Sequence, residues 1–557
     1  MSNDPKEQAA GRERMDRRQF LGSAVIGGAM ALRGTTLHSV RLPPNDAARG
    51  GEVPPFELEE ATIGDLQRRM ESGQETSRSL VEKYRARIEA LDRRGPALRQ
   101  VLETNPDALA IAEKLDAERK SKGPRGPLHG IPVLLKDNIG TADRMTTTAG
   151  SLALEGTKAS RDAFVARRLR EAGAVLLGKT NMSEWANFRS THSSSGWSGR
   201  GGQGLNPYVL DRNTSGSSSG SAAAVAANYA AVAVGTETDG SVVSPSNNNS
   251  VVGIKPTVGL ASRTGIIPIA HSQDTAGPMA RTVADAAILL GALVGADPDD
   301  PITRTGARSG QRDYTKYLDA NGLRNARIGV VRKGLFDHSP AADRLAEQAI
   351  ADMKRLGATI VDPADIPTIG QVDDAEFEVL LYEFKHDLNA YLGALGRGAP
   401  RSLEDLIAFN ESRREREMPY FGQEIFVRAQ KKGPLTSAAY RQALAKCRRL
   451  SRTLGIDAVM TKHRLDALVA PTGSPPSLTD LANGDYGFSG TSTFPAVAGY
   501  PHITVPAGYH FGLPVGISFF GRPFSEPTLI RFAFAFEQAT RHRTPPRFLP
   551  TAPLSQM

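Results

Sequence analysis

Apolar and polar positions divide the chain into three textures. Residues 63–91 repeat apolar positions at helical spacing opposite many charges, which predicts outer helices after a Pro- and Gly-containing linker at 42–55. From Gly130 to about Val294, short apolar runs alternate with Gly, Ser and Thr clusters and with alanine-rich helices, as in an α/β core. Gly130-Ile-Pro-Val-Leu-Leu-Lys136 reads as a buried strand that delivers a lysine at its end. Val165, Leu169 and Ala172 share a helix face that stops at Gly173, ahead of strand-like Ala174–Leu177. Residues from about 300 to 455 are more polar and helix-like, with the charged stretch Arg413–Glu417 expected on a solvated face. Strand-like runs return at Ala467–Ala470, Ile503–Val505 and Val515–Phe519. If they pair with the central strands, both ends of the chain build one sheet and the middle is a helical insertion.

The N-terminus follows a different pattern. Asp16-Arg17-Arg18-Gln19-Phe20-Leu21 opens a twelve-residue apolar stretch, Leu21 to Leu32, closed by Arg33 and too short to span a bilayer. A paired arginine before a short Gly- and Ala-rich run reads as a twin-arginine export signal, occupying residues 1–40 with its linker. It predicts a periplasmic or secreted enzyme; without it the chain is cytoplasmic. Ala29-Met30-Ala31 is the best small-x-small cleavage candidate. Ala222–Val234 is mostly alanine, interrupted by Asn228 and Tyr229, so no stable membrane association is expected after export.

Charge and composition narrow the chemistry. Of the net +8, the first 33 residues carry six basic and four acidic side chains, leaving about +6 for the rest. Those bases are scattered among acids, as with Arg167, Arg168 and Arg170 between Asp162 and Glu171, so a nucleic-acid partner is not expected. Cys447 is the single cysteine, which excludes an intrachain disulfide and a multi-thiolate metal site. Ten histidines show no metal-ligand helical pair and no H-E-x-x-H, so neither metal nor cofactor is expected.

Three pattern matches carry little physics. Gly173-Ala-Val-Leu-Leu-Gly178-Lys179-Thr180 fits the phosphate-loop pattern, yet its variable positions are themselves the apolar strand, where a flexible turn is needed. Gly199-Arg-Gly-Gly-Gln-Gly204 fits G-x-G-x-x-G without a strand before it or a helix after it, and reads as a glycine-rich turn. Gly216-Ser-Ser-Ser-Gly220 fits the G-x-S-x-G elbow of esterases around Ser218, but the preceding stretch is polar and broken by Pro207. His502 and His510, the available downstream histidines, lie in unremarkable contexts.

A longer constellation does carry chemistry. Ser215-Gly-Ser-Ser-Ser-Gly-Ser221 leads into an alanine helix, a short strand, and the turn Thr236-Glu-Thr-Asp-Gly-Ser241. Helix and strand are short enough to return the chain, so the clusters around Ser217 and Ser241 can face each other.

These segments resemble the amidase signature family. Its G-[GS]-S-S-[GS]-G-[SE] pattern is met with Ser215 in place of the first glycine, followed in order by the Gly235–Ser241 run and Gly253-Ile-Lys-Pro-Thr257. Pro132-Val-Leu-Leu-Lys-Asp-Asn138 lies upstream, and Gly178–Glu184, Gln273–Pro278 and Gly499–Gly508 agree, so the resemblance covers about residues 56–545. It implies an α/β fold with a single large mixed β-sheet flanked by helices on both faces. It also implies a Ser-Ser-Lys amidase in which Ser241 is the nucleophile, Ser217 the bridging serine after a cis Gly216–Ser217 peptide, and Lys136 the base. Backbone N–H groups of Thr238, Asp239, Gly240 and Ser241 would form the oxyanion hole. Ser215, Ser218, Ser219, Ser221, Lys179 and Lys255 are read as structural.

Where the family often places an arginine that binds substrate carboxylates, this chain has Val243. With Asp239 and the Gly199–Gln203 and Asn206–Tyr208 segments, it is most similar to bacterial peptide amidases, which implies small-molecule or peptide amides as substrates and C-terminal deamidation as the activity. Met145, Trp185 and Phe188 could line an apolar acyl pocket or simply pack the core. Competing readings are the amidase component of a tRNA-dependent amidotransferase and a G-x-S-x-G esterase.

Overall fold

The computed structural model describes residues 53–307, 311–396, 398–486 and 490–554; the paired-arginine segment lies outside them. Residues Ala47–Met557 cluster as one unit, where length alone would suggest several domains. The strands are β1 (Val101–Thr104), β2 (Pro132–Lys136), β3 (Val175–Thr180), β4 (Trp197–Ser198), β5 (Gly202–Gln203), β6 (Val232–Glu237), β7 (Val252–Lys255), β8 (Thr275–Ala280), β9 (Arg327–Val330), β10 (Thr359–Val361), β11 (Ala467–Pro471), β12 (His502–His510) and β13 (Leu513–Phe520). Eleven of these form one mixed sheet in the order β1-β3-β2-β6-β8-β7-β12-β13-β11-β9-β10, with β4 and β5 paired separately.

The two ends of the chain do share the sheet: β12 runs antiparallel to β7, with His502 opposite Lys255. β2 lies parallel to both β3 and β6. Such strands are covered on both faces, which is why Pro132–Lys136 and Val232–Glu237 are buried at every position and why Pro132–Leu135 and Val232–Val234 are apolar without a break. Helices flank the sheet: Ser219–Ala226 packs on β2, β3, β6 and β8, and Val283–Leu293 on β6, β7 and β8. No helix among the described residues is long and apolar enough to cross a membrane.

The phosphate-loop match is the end of one helix and a strand. The helix Phe164–Glu171 stops before Gly173, whose φ of +81° and close contact with His129 favour glycine. β3 then runs through Gly178, Lys179 and Thr180, and Lys179 is buried with Nζ donating to Ile139 O (2.6 Å) and Thr147 Oγ1 (2.9 Å). The G-x-G-x-x-G match is the turn joining β4 to β5.

The stretch at 300–455 also contains strands. β9 and β10 lie within it and extend the sheet beyond β11; at four and three residues they are too short to show a period of two. Its helices build a second apolar core, in which Leu380, Leu381, Phe384 and Phe426 pack with Trp185 and Phe188. The charged stretch Arg413–Glu417 departs from expectation at its end. Arg413–Arg416 are exposed, but Glu417 is buried and accepts from Ser151 Oγ (3.1 Å) and Leu152 N (2.7 Å).

The seam between insertion and sheet turns on Arg189. It is fully buried, 3.3 Å from Glu184, donates to the Glu417 carbonyl, and lies over the Phe421 ring at 4.4 Å. Arg189→Met leaves Glu184 buried without its cation and the Glu417 carbonyl without its donor, and is expected to cost about 3–5 kcal/mol. A urea-denaturation midpoint unchanged from wild type would refute this.

Candidate active site

The site forms because β2 and β6 are parallel neighbours, with Leu135 opposite Val234, so their carboxyl ends emerge on the same edge. Ligands in α/β sheets bind outside such ends. β2 ends in Lys136 and β6 in Thr236 and Glu237, while the loop entering helix Ser219–Ala226 brings Ser217 between them. Lys136 Nζ lies 2.7 Å from Ser217 Oγ, and Ser217 Oγ lies 3.0 Å from Ser241 Oγ. Lys136 and Ser217 are fully buried, whereas Ser241 is 7% exposed. The Gly216–Ser217 peptide is cis.

Burial pushes the Lys136 amine down to about 7, against the opposing pull of Glu237 and Asp274. Its other contacts are Thr236 O (3.1 Å) and Thr236 Oγ1 (2.9 Å). Asn138 Nδ2 also donates to Thr236 Oγ1 (3.0 Å). A neutral amine has two N–H groups and one lone pair; with Thr236 accepting both, the lone pair faces Ser217.

Thr238, Asp239, Gly240 and Ser241 form the turn between β6 and helix Val243–Asn248. Gly240 has φ +76°, and a Cβ there would meet Ser492 and Ser244 oxygens at 2.9 and 3.0 Å. Both ends of the turn are clamped. Glu237 Oε2 accepts from Val242 N (2.7 Å) and Val243 N (3.0 Å), and Thr238 Oγ1 donates to Asp274 Oδ1 (2.6 Å). Among the described residues, the N–H groups of Asp239, Gly240 and Ser241 donate to no backbone carbonyl.

Ser218 is occupied elsewhere: its Oγ donates to Thr236 O (3.0 Å) and accepts from Thr236 N (3.2 Å). His502 is buried against Ser518 Oγ (2.6 Å), and burial lowers its pKa to about 3. Its hydrogen bond is to Ser518 and not to a serine of the elbow, so His502 does not supply the base that the esterase reading needs. Ser221 bonds to Val234 O.

Two cavities meet at Ser241. The larger, about 490 Å³, includes Phe188, Asp239, Gly240, Ile269 and Leu380 in its wall. The smaller, about 210 Å³, includes Asn138, Ser217, Thr236, Ile266 and His271. Of the three apolar side chains singled out in sequence, Phe188 lines a cavity, whereas Trp185 packs on Phe426 at 5.8 Å and Met145 lies in the main core. Sequence reasoning missed Ile269, Leu380, Asp485 and Ser492, which reach the larger cavity from remote segments with no motif. It also missed His271, Glu383 and Asp387, whose ligand-type atoms lie within 4.8 Å of one another. These are already paired: His271 Nδ1 to Asp387 Oδ2 (2.8 Å), with Tyr440 OH donating to Glu383 (2.7 Å).

A lysine, two serines and an open backbone turn thus come together at the carboxyl edge of a mixed sheet. The chain belongs to the amidase family, whose model matches residues 79–530. It is an enzyme that hydrolyses amide C–N bonds. It is 48% identical over 505 residues to a probable amidase of Arabidopsis thaliana, covering 89% of this chain and 93% of that one. The native peptide amidase of Stenotrophomonas maltophilia superposes with a TM-score of 0.85 at 52% identity, covering 89% of this chain and all of that one. At 35% identity over 494 residues the chain also resembles a glutamyl-tRNA(Gln) amidotransferase component from Myxococcus xanthus, covering 87% and 98%.

Glu237→Leu removes the acceptor for two buried N–H groups and is expected to destabilise the fold by about 2 kcal/mol or more. Glu237→Gln, which keeps an acceptor oxygen, should cost less in the same denaturation experiment.

Proposed function

We propose that the enzyme deamidates peptides at their C-terminal amides, through an acyl-enzyme on Ser241. The reading rests on one observation above all: Lys136, Ser217 and Ser241 form an unbroken chain of contacts at 2.7 and 3.0 Å. Neutral Lys136 takes the Ser217 proton while Ser217 takes that of Ser241, whose oxygen attacks the carbonyl carbon. The N–H groups of the Thr238–Ser241 turn receive the developing oxyanion. The proton then returns through Ser217 to the leaving nitrogen, ammonia departs, and water hydrolyses the Ser241 ester by the same relay.

Peptidic substrates are supported by the wall of the larger cavity. It combines Phe188, Ile269 and Leu380 with Asp239 and Asp485, and among the described residues no cation lines it. Position 243, where an arginine could bind a carboxylate, is a buried valine. The 52% identical neighbour is itself a peptide amidase.

Ser241→Ala should lower ammonia release from N-acetyl-leucinamide by about 10⁴-fold or more with an unchanged circular-dichroism spectrum. Ser217→Ala and Lys136→Ala should each lose about 10²-fold or more. Normal turnover by Ser241→Ala rejects the mechanism.

Because the Lys136 amine titrates near 7, kcat/KM should fall about tenfold per unit as pH drops below that value and level off above it. A flat profile from about pH 5 to 9 excludes Lys136 as the base.

We further propose that the Arg17-Arg18 segment exports the enzyme. Replacing both with lysine should leave the activity in the cytoplasmic fraction; undiminished periplasmic activity rejects the signal.

A further inference from the structure

The turn that follows β3 departs from ordinary backbone geometry. Trp185, Ala186 and Asn187 are all left-handed, with φ of +48°, +55° and +68°, a conformation that asparagine tolerates better than tryptophan or alanine. Three such residues in succession persist only where their surroundings hold them. Two contacts do so here: Trp185 N donates to Ala149 O (2.9 Å), and Ser183 N donates to Ser217 O (3.1 Å). The turn is thereby docked on Ser217, and Ala186 and Asn187 join the wall of the larger cavity beside Ser241.

The Asn187 side chain is itself fixed. Its Nδ2 donates to Ser193 Oγ (2.8 Å) and Ser195 Oγ (3.1 Å), which spends both N–H groups and turns the carbonyl end away from them. That oxygen, Oδ1, lies against Gly216, where a Cβ would come within 2.9 Å of it. Gly216 precedes Ser217 and lines the same cavity. Three other asparagines share this wall, and the side-chain oxygen of each has a donor: Ser215 N on Asn213 (2.6 Å), Gly516 N on Asn247 (2.7 Å) and Asn247 Nδ2 on Asn248 (2.9 Å). Among the described residues no donor reaches Asn187 Oδ1. It is an oriented, neutral acceptor left open.

A peptide amide and a fatty amide differ at one atom close to this acceptor. In the peptide amide an N–H stands two bonds from the carbonyl carbon; the fatty amide has a methylene there. We infer that Asn187 is a specificity-determining residue whose Oδ1 accepts the N–H of the substrate's C-terminal residue, so that peptide and N-acylamino acid amides are chosen over fatty amides of the same shape. The carboxylates of the wall do not duplicate the role. Asp239 accepts from Thr493 Oγ1 (2.8 Å) and stands in the turn proposed to receive the oxyanion, while Asp485 Oδ1 accepts from Ser195 N and Asn213 Nδ2 (2.9 Å each). An acyl chain without the N–H covers Asn187 Oδ1 and leaves it unpaired, and a polar group stripped of water without a partner is what makes a site selective.

The inference rests on the peptide-amide reading, and its test separates the two. Ammonia release by the full-length enzyme is measured with N-acetyl-leucinamide and with 2-acetoxy-4-methylpentanamide of the same configuration, in which an ester oxygen replaces the N–H. Wild type should favour the first by about tenfold or more in kcat/KM. Asn187→Ala should bring that ratio close to one, chiefly by lowering kcat/KM for N-acetyl-leucinamide. Asn187→Gly, which adopts a positive φ without strain, gives the same readout if the alanine variant does not fold. A wild-type ratio near one overturns the role of Asn187 and leaves the peptide-amide reading standing. So does a preference that a folded variant retains because both substrates lose equally, the mark of a merely structural residue. Ammonia release from neither substrate by wild type overturns the peptide-amide reading itself.

Discussion

The site depends on holding the Lys136 amine out of water. A solvated lysine stays protonated up to about 10.4 and cannot act as a base at neutral pH. Here the amine sits at the end of a strand covered on both faces, with two N–H groups directed at Thr236. Desolvation alone would push the pKa lower still; Glu237 and Asp274 pull it back to about 7. That value suits the role of base proposed for the lysine, which has to accept and return a proton near neutral pH.

The two carboxylates that set this balance also hold the reacting loop. Glu237 receives the first N–H groups after Ser241, and Asp274 receives the Thr238 hydroxyl together with Ile269 N (2.9 Å) and Ala270 N (3.0 Å). Burial raises both, Asp274 to about 6. Lys255, lowered by burial to about 8, faces Glu237 from β7. The pKa of Lys136 and the rigidity of the Thr238–Ser241 turn are therefore coupled. A change at either carboxylate alters both, which is why buried polar networks of this kind tolerate little partial loss.

Much of this was legible in the sequence, for identifiable reasons. β2 and β6 show as apolar runs because parallel central strands are buried on both sides, and their ends mark Lys136 and Thr236. Rejection of the phosphate-loop match followed from the same reasoning, since a strand cannot also be a phosphate-binding turn. Pairing Ser217 with Ser241, by contrast, needed the family resemblance; spacing allowed the clusters to face each other but did not rank Ser241 above Ser218. In the structure the Ser218 hydroxyl is committed to the Thr236 backbone, whereas that of Ser241 meets Ser217. What stayed hidden is long-range: β9 and β10 are too short to show a period, and Glu417 looked solvated because its partners, Ser151 and Leu152, lie 266 and 265 residues away. Leu380 and Asp485 likewise join the cavity wall only through folding.

The placement of charge around the larger cavity bears on turnover as well as on substrate choice. On the proposed mechanism each cycle converts a neutral amide into a carboxylate beside Ser241, in a space lined by Asp239 and Asp485 and, among the described residues, by no cation. An arginine at position 243 would hold that product through a charge-assisted pair; the buried Val243 makes none, and its N–H is spent on Glu237. The same wall that admits a neutral acyl chain thus offers nothing to retain the anion made from it. In the proposed reading the acyl chain packs on Phe188, Ile269 and Leu380, contacts that substrate and product would share. Discrimination between the two would then fall to electrostatics: burial, which raises the pKa of Asp239 and Asp485, disfavours any further buried anion beside them.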